Sequence, residues 1–284
     1  ASVKSITVDA GASLTIAKDG SATVSGDFTN NGTVTLNSES SEFASIIVSG
    51  TATGDVTYNR YVNTEGENEW DLVGSPVVGQ SINSFATAND GPLATNGDQY
   101  AIGTFDNTQS SVADAWTNYT TSTIGTAGNF NLGQGYQMGT DSGSTLAFTG
   151  TISSSDVTRA IIDNSSSGYR WNLVANPYPS YLYLNSAADG TNNFITVNSS
   201  PGNQNIDGSF AAVYGWNPNK IGGAGYDSYD GNDTAKYIAP GQGFFIAASS
   251  SSSIDLDFTE AMQTVNGGDD FVIGDPIEYN EIYL

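Results

Sequence analysis

A chain that repeats a long segment of itself must fold into two copies of one architecture, and this chain carries such a repeat. Asp55-Val-Thr57 recurs as Asp156-Val-Thr158. Trp70-Asp-Leu-Val73, followed by Pro76, recurs as Trp171-Asn-Leu-Val174, followed by Pro177; both pairs are separated by 101 residues. Further along, Gly133-Gln-Gly-Tyr-Gln-Met138 matches Gly241-Gln-Gly-Phe-Phe-Ile246 at a separation of 108, and Leu146-Ala-Phe-Thr149 matches Leu256-Asp-Phe-Thr259 at 110. A growing offset places the insertions in loops between shared strands. Each copy reads as roughly six short alternating strands with almost no helical periodicity. The pattern predicts an all-β fold with two tandem, internally duplicated β-sandwich, jelly-roll-like units over residues 55–151 and 152–262. Residues 263–284 are expected to connect to a further segment.

Residues 1–54 carry a different signal. Ser5-Ile-Thr-Val8, Ser13-Leu-Thr-Ile16, Ala22-Thr-Val24, Thr33-Val-Thr-Leu36 and Ser45-Ile-Ile-Val48 alternate with a period of two and are punctuated by Gly and Asn. Such evenly spaced short strands predict a β-solenoid-like or meander segment, each rung burying its apolar face on the next. Within the duplicated units, Trp70 and Trp171 read as core anchors beside Leu-Val pairs. The Gly-Gln-Gly elements read as places where a neighbouring backbone comes close. Residues 77–98, 178–209 and 217–236 lack periodicity and read as long loops, the usual seat of binding in β domains.

Composition removes much chemistry. The 284 residues include no Cys and no His, so neither a Ser-His-Asp triad, a thiolate nucleophile nor an imidazole zinc site exists. With 30 acids against 7 bases, net charge −23, the chain has no basic cluster for nucleic acid or anionic lipid. It also has no run of 18 apolar residues, and membrane insertion is not expected. No spacing singles out a catalytic carboxylate pair from so many acids, and we expect no catalytic residue.

Two candidate sites remain. Asp227, Asp230, Asn232 and Asp233 gather oxygens around a glycine turn in Tyr226-Asp-Ser-Tyr-Asp-Gly-Asn-Asp233, a composition that suits calcium, with a solvated turn as the alternative. Sugar rings require aromatic faces for their C–H groups, flanked by amides or acids for their hydroxyls. The second copy offers Tyr178, Tyr181, Trp216, Tyr226 and Tyr229, interleaved with Asn185, Asn192, Asn217 and Asn219, while Trp116 and Tyr119 occupy a similar hairpin in the first. The excess negative charge favours neutral over anionic polysaccharide.

Ser25-Gly-Asp-Phe-Thr-Asn-Asn-Gly-Thr-Val-Thr-Leu36, the repeated Trp-Asx-Leu-Val-x-x-Pro, Asn176-Pro-Tyr-Pro179 and Pro240-Gly-Gln-Gly-Phe-Phe245 resemble extracellular regions of large secreted proteins of Bacteroidetes. Such regions commonly precede the sorting domain of the type nine secretion system. The resemblance implies an extracellular or bacterial cell-surface location and further domains on the same longer chain. The expected function is non-catalytic carbohydrate binding. The alternative is a structural or adhesive spacer without a small ligand.

Overall fold

In the N-terminal strands every second residue is apolar, and these residues line the inside of a three-faced coil. The computed structural model describes residues 1–64, 70–217, 220 and 224–270. Nine strands make three rungs: β1 (Ser2–Val3), β2 (Ile6–Val8) and β3 (Ser13–Ile16); β4 (Ser21–Val24), β5 (Phe28–Asn30) and β6 (Thr33–Leu36); β7 (Ser45–Val48), β8 (Ala52–Thr53) and β9 (Val56–Val62). They stack in parallel as β1-β4-β7, β2-β5-β8 and β3-β6-β9. The register aligns like with like: Ile16 on Leu36, Leu36 on Tyr58, Val24 on Val48. Parallel stacking of this kind defines a short β-solenoid.

The third rung does not end the solenoid but opens the first unit. β9 also pairs antiparallel with β15 (Ser144–Gly150), Val56 opposite Gly150 and Val62 opposite Ser144. The rest of the unit is β10 (Asp71–Val73), α1 (Ile82–Ala88), β11 (Thr95–Asn96), β12 (Gln99–Phe105), α2 (Val112–Ala115), β13 (Trp116–Thr120) and β14 (Tyr136–Met138). β10, β14, β12 and β13 form an antiparallel sheet in that order, and β11 flanks β12. Val73, Ile102, Tyr136 and Met138 from this sheet meet Leu146 and Phe148 of β15 and Phe85 of α1 in a core continuous with Val24, Phe28, Leu36 and Ile46 of the solenoid. The boundary expected at residue 54 therefore falls inside the third rung, and the solenoid and the first unit share β9 and one core.

The second unit repeats this plan. β16 (Val157–Ile161), β17 (Trp171–Ala175), β18 (Tyr181–Tyr183), α3 (Phe194–Ser199), β19 (Asn203–Gln204), β20 (Ala212–Asn217), β21 (Gly225–Asp230), β22 (Tyr237–Ile238), β23 (Gly243–Ala247), β24 (Ile254–Phe258) and β25 (Gln263–Thr264) follow in order. The sheet β17-β23-β20-β21 corresponds to β10-β14-β12-β13, and the pair β16-β24 to β9-β15. Its core holds Val174, Val213, Phe244 and Ile246 against Phe194 and Phe258.

The helices correct the sequence reading of residues 77–98 and 178–209 as loops throughout. Ser81 and Asn193 accept a hydrogen bond from the backbone N–H three residues on and so cap α1 and α3. Each helix is too short for its apolar residues to show a period. In each, one asparagine ties the helix to the sheet. Asn89 donates to Phe85 O and Ala147 O and accepts from Ala147 N; Asn198 donates to Phe194 O and Asp257 O and accepts from Asp257 N.

The repeated Gly-Gln-Gly elements join the units reciprocally. Gly241 O accepts from Gly74 N at 2.9 Å, and its counterpart Gly133 O accepts from Ala175 N at 3.0 Å. Val73 bridges Gln242, and Val174 bridges Gln134. Matching residues thus exchange places across a quasi-twofold axis. A Cβ on Gly135 would lie 2.7 Å from Leu173 Cγ, and one on Gly243 would lie 2.6 Å from the backbone of Leu72. Only glycine admits the partner strand at these positions.

Candidate functional site

At that seam lies a cleft of about 470 Å³. The first unit contributes Phe105, Val112 and Trp116; the second contributes Tyr169, Trp171, Tyr214, Tyr226 and Phe245. Strand alternation explains the gathering. β17, β23, β20 and β21 send Val174, Phe244, Ile246 and Val213 into their own core, so Trp171, Phe245, Tyr214 and Tyr226 emerge on the opposite face. That face meets the corresponding face of the first unit at Leu72 and Leu173. The rings meet mostly edge to face: Phe105 with Trp116 at 5.1 Å and with Phe245 at 4.9 Å, Trp171 with Tyr214 at 4.7 Å, Tyr226 with Phe245 at 5.5 Å. Tyr226 is 42% exposed and Val112 59%, so the cleft opens to solvent between them. Desolvation by the neighbouring rings pushes the Tyr226 hydroxyl above its ordinary range, to about 12.

The candidates chosen from the sequence divide cleanly. Trp116, Trp216 and Tyr226 converge, Trp216 pairing across strands with Tyr226 at a ring distance of 5.1 Å. Tyr229 and Tyr119 do not. Each lies three residues from its cleft neighbour on the same strand and therefore points to the other face, Tyr229 to its unit's core beneath Lys236 and Tyr119 to the core of the first unit. Tyr178 and Tyr181 are buried and present no face to a ligand. The Tyr178 hydroxyl donates to Ser155 O and Phe258 O, and that of Tyr181 to Gly268 O. Trp171 is no core anchor, since it stands on the cleft face with Leu173.

Of the four acidic-cluster residues, Asp227 stands apart from the other three, which share one turn. Tyr226–Asp230 is strand rather than hairpin tip, so Asp227 and Asp230 face opposite ways. Although partial burial opposes ionisation, hydrogen bonds from Asn217 at 2.7 Å and Lys220 at 2.9 Å hold the Asp227 carboxyl below its usual range. Asp230 accepts from Asn232 N, and Asp233 accepts from Asp230 N, as turn-forming side chains do. Among the described residues no group of three or more acids is arranged to hold a metal ion.

Phe105, Tyr169, Tyr214 and Phe245 carry no sequence signal that marks them as cleft residues, and the repeat marks Trp171 only as a core residue. A signal of a second layer is present, however: Gly243-Phe-Phe-Ile-Ala247 is apolar at every position, and it is buried at every position. A strand buried on both faces needs a second layer, and here that layer is the other unit. The corresponding face of the first unit is mixed: beside Leu72, Phe105 and Trp116 it carries Gln137, which donates to Asn118 at 2.6 Å. Beside it Trp70, Tyr100, Asn96, Gln99 and Asn118 line a smaller cavity of about 210 Å³. The duplicated scaffold therefore bears an aromatic cleft between its two copies and a smaller, amide-rich cavity on the first copy alone.

Residues 1–273 match a family described as a domain of unknown function, DUF8693. The chain belongs to that family. The match spans the solenoid and both units of this chain. No curated protein and no solved structure matches the chain. Among the described residues no helix is long and apolar enough to cross a membrane.

Proposed function

We propose that this chain is a non-catalytic glycan-binding segment of a larger secreted or cell-surface protein, and that the cleft between its duplicated units is the binding site. The observation that carries the reading is the seam itself. Seven aromatic side chains from two units line one open cleft, although neither unit needs them for its own core. Clefts at unit interfaces, apolar and largely preformed, are the common form of small-ligand sites. Aromatic rings accept the C–H faces of sugars, and the Tyr214, Tyr226 and Tyr169 hydroxyls and the Trp116 and Trp171 ring N–H groups supply polar contacts.

Intrinsic fluorescence provides the test, because Trp116 and Trp171 line the cleft. Oligosaccharides titrated into the chain should change its emission saturably. Tyr226→Ala and Trp116→Ala should each weaken binding about tenfold or more while leaving the melting temperature close to that of the parent. Equal binding by parent and both variants would remove the cleft from consideration.

A second reading is a rigid spacer. It is favoured by the reciprocal hydrogen bonds between the units and by the core shared between solenoid and first unit, which would hold a fixed length between flanking domains. Absence of any fluorescence response or retention across a broad glycan panel would favour it.

A further inference from the structure

We propose that the cleft continues into an anion-binding subsite built around Arg159, so that the ligand is an oligosaccharide carrying a single carboxylate on an otherwise neutral chain. This inference rests on the glycan reading. Next to the aromatic cleft is a second cavity of about 190 Å³, and Phe105 and Trp171 line both. Gln134 of the first unit and Arg159 of the second both line this second cavity, together with Asn107 and Asn172.

Three facts distinguish this pocket in so acidic a chain. First, neither cavity has an Asp or Glu among its lining residues, although the chain carries 30 acids. Second, Arg159 has no acid partner: Arg60 pairs with Asp270 and Arg170 with Asp207, whereas Arg159 makes no salt bridge among the described residues. Third, the neighbouring amides are already engaged. Asn107 donates to Ile162 O and Asn164 donates to Asn107 across the seam, while Asn172 donates to Ile162 O and Arg170 O within its own unit. Gln134 accepts from Asn131 through its oxygen, which leaves its NH₂ as a donor beside Arg159.

A guanidinium partly removed from water and lacking a counter-ion is a site for a planar anion. Its parallel N–H groups match the two oxygens of a carboxylate. Desolvation already disfavours its charged form, which lowers its pKa, and an incoming carboxylate would reverse that. A dense polyanion would still meet the field of the −23 surface. At physiological salt, however, charges beyond about 8 Å are largely screened, so the acid-free pocket decides the affinity for one carboxylate.

The test uses matched pairs of short oligosaccharides of gluco, galacto and manno configuration. Each is prepared neutral and with one sugar oxidised to the uronate, then titrated by calorimetry into the whole chain, Arg159→Gln and Arg159→Lys. We expect one uronate form to bind about tenfold tighter than its neutral partner, the preference to vanish in Arg159→Gln with neutral binding retained, and Arg159→Lys to keep part of it. Equal binding of both forms to the parent would overturn the subsite and leave the glycan reading standing. A preference that survives in Arg159→Gln would overturn it too. No binding of any pair would overturn both.

Discussion

Asp71 shows what the duplication costs when one copy departs from the other. Its counterpart Asn172 is half-buried and satisfied as a neutral amide, donating to Ile162 O and accepting from Ile162 N. Asp71 is more deeply buried and accepts from Asn63 N and Asn63 Nδ2 at 2.8 and 2.9 Å. Burial, followed by repulsion from Asp270 and against the attraction of Arg60, raises its pKa from 3.8 to about 7. A carboxyl raised in the folded state holds a proton that the unfolded chain has already released, so the contribution of Asp71 to stability is greatest below pH 4 and falls as pH rises from 4 to 7. Asp71→Asn, which copies position 172, should remove that contribution. Melting temperatures measured between pH 4 and 8 should show the variant gaining on the parent up to about pH 7 and holding a constant lead above it. A constant difference over the whole range would mean that Asp71 is ionised throughout.

At the scale of elements, the two asparagines that clamp helix to sheet carry the next prediction. Asn89 and Asn198 each satisfy both backbone groups of one residue on β15 or β24, acting as a one-residue strand partner. Replacing either with Ala leaves a buried N–H and C=O unpaired, at about 2–4 kcal/mol, and Asn89→Asp, which keeps the acceptor but turns a carboxylate oxygen toward Phe85 O and Ala147 O, should cost at least as much. Urea melts with unchanged slope and shifted midpoint would report this directly. The Gly-Gln-Gly elements are the seam's counterpart. A Cβ at position 243 meets the backbone of Leu72 and Val73, which cannot swing aside as a side chain can. Gly243→Ala should therefore destabilise by about 1–3 kcal/mol and shift the emission of Trp116 and Trp171, whereas an Ala at the open position of Gly190 should do neither. Elements of this kind mark the limit of what the sequence discloses. Alternation in Ser13–Ile16 or Thr33–Leu36 announces a strand, because the pattern records which face is buried. The parity that separates Tyr226 from Tyr229, and Trp116 from Tyr119, was equally available: an interval of three on a strand changes face. Helices of seven and six residues are too short to show a period. The company of Phe105 and Phe245, 140 residues apart, depends on how two units dock and has no local signature.

For the molecule as a whole, the question is how many cooperative units it contains. Three segments distinct in pattern need not be three domains, since a domain requires a core of its own. The solenoid and the first unit share one core through β9, which is at once the last rung and the first strand of the unit. The second unit has a separate core, yet it is fastened at several points. The glycine elements and the asparagine network close one side. On the other, Phe43, Tyr181 and Ala239 form a small apolar cluster, Ile46 N donates to Pro179 O, and the buried Arg60 pairs with Asp270 at 2.7 Å. Breaking that pair strands a buried charge, so opening the seam is coupled to unfolding rather than to sliding. Far-UV circular dichroism, which samples every strand, and tryptophan emission, to which three of the four tryptophans, Trp116, Trp171 and Trp216, contribute from the seam, should therefore melt at the same temperature. A chain beginning at residue 55 would expose the β6-facing edge of β9 and the apolar residues that Val34, Leu36 and Ile46 cover; it should lose cooperative melting altogether. If instead the emission changed first and the shortened chain melted cooperatively, the seam would be a hinge. A ligand seated in the cleft would then act by closing the hinge, and saturating oligosaccharide would bring the two melting curves together.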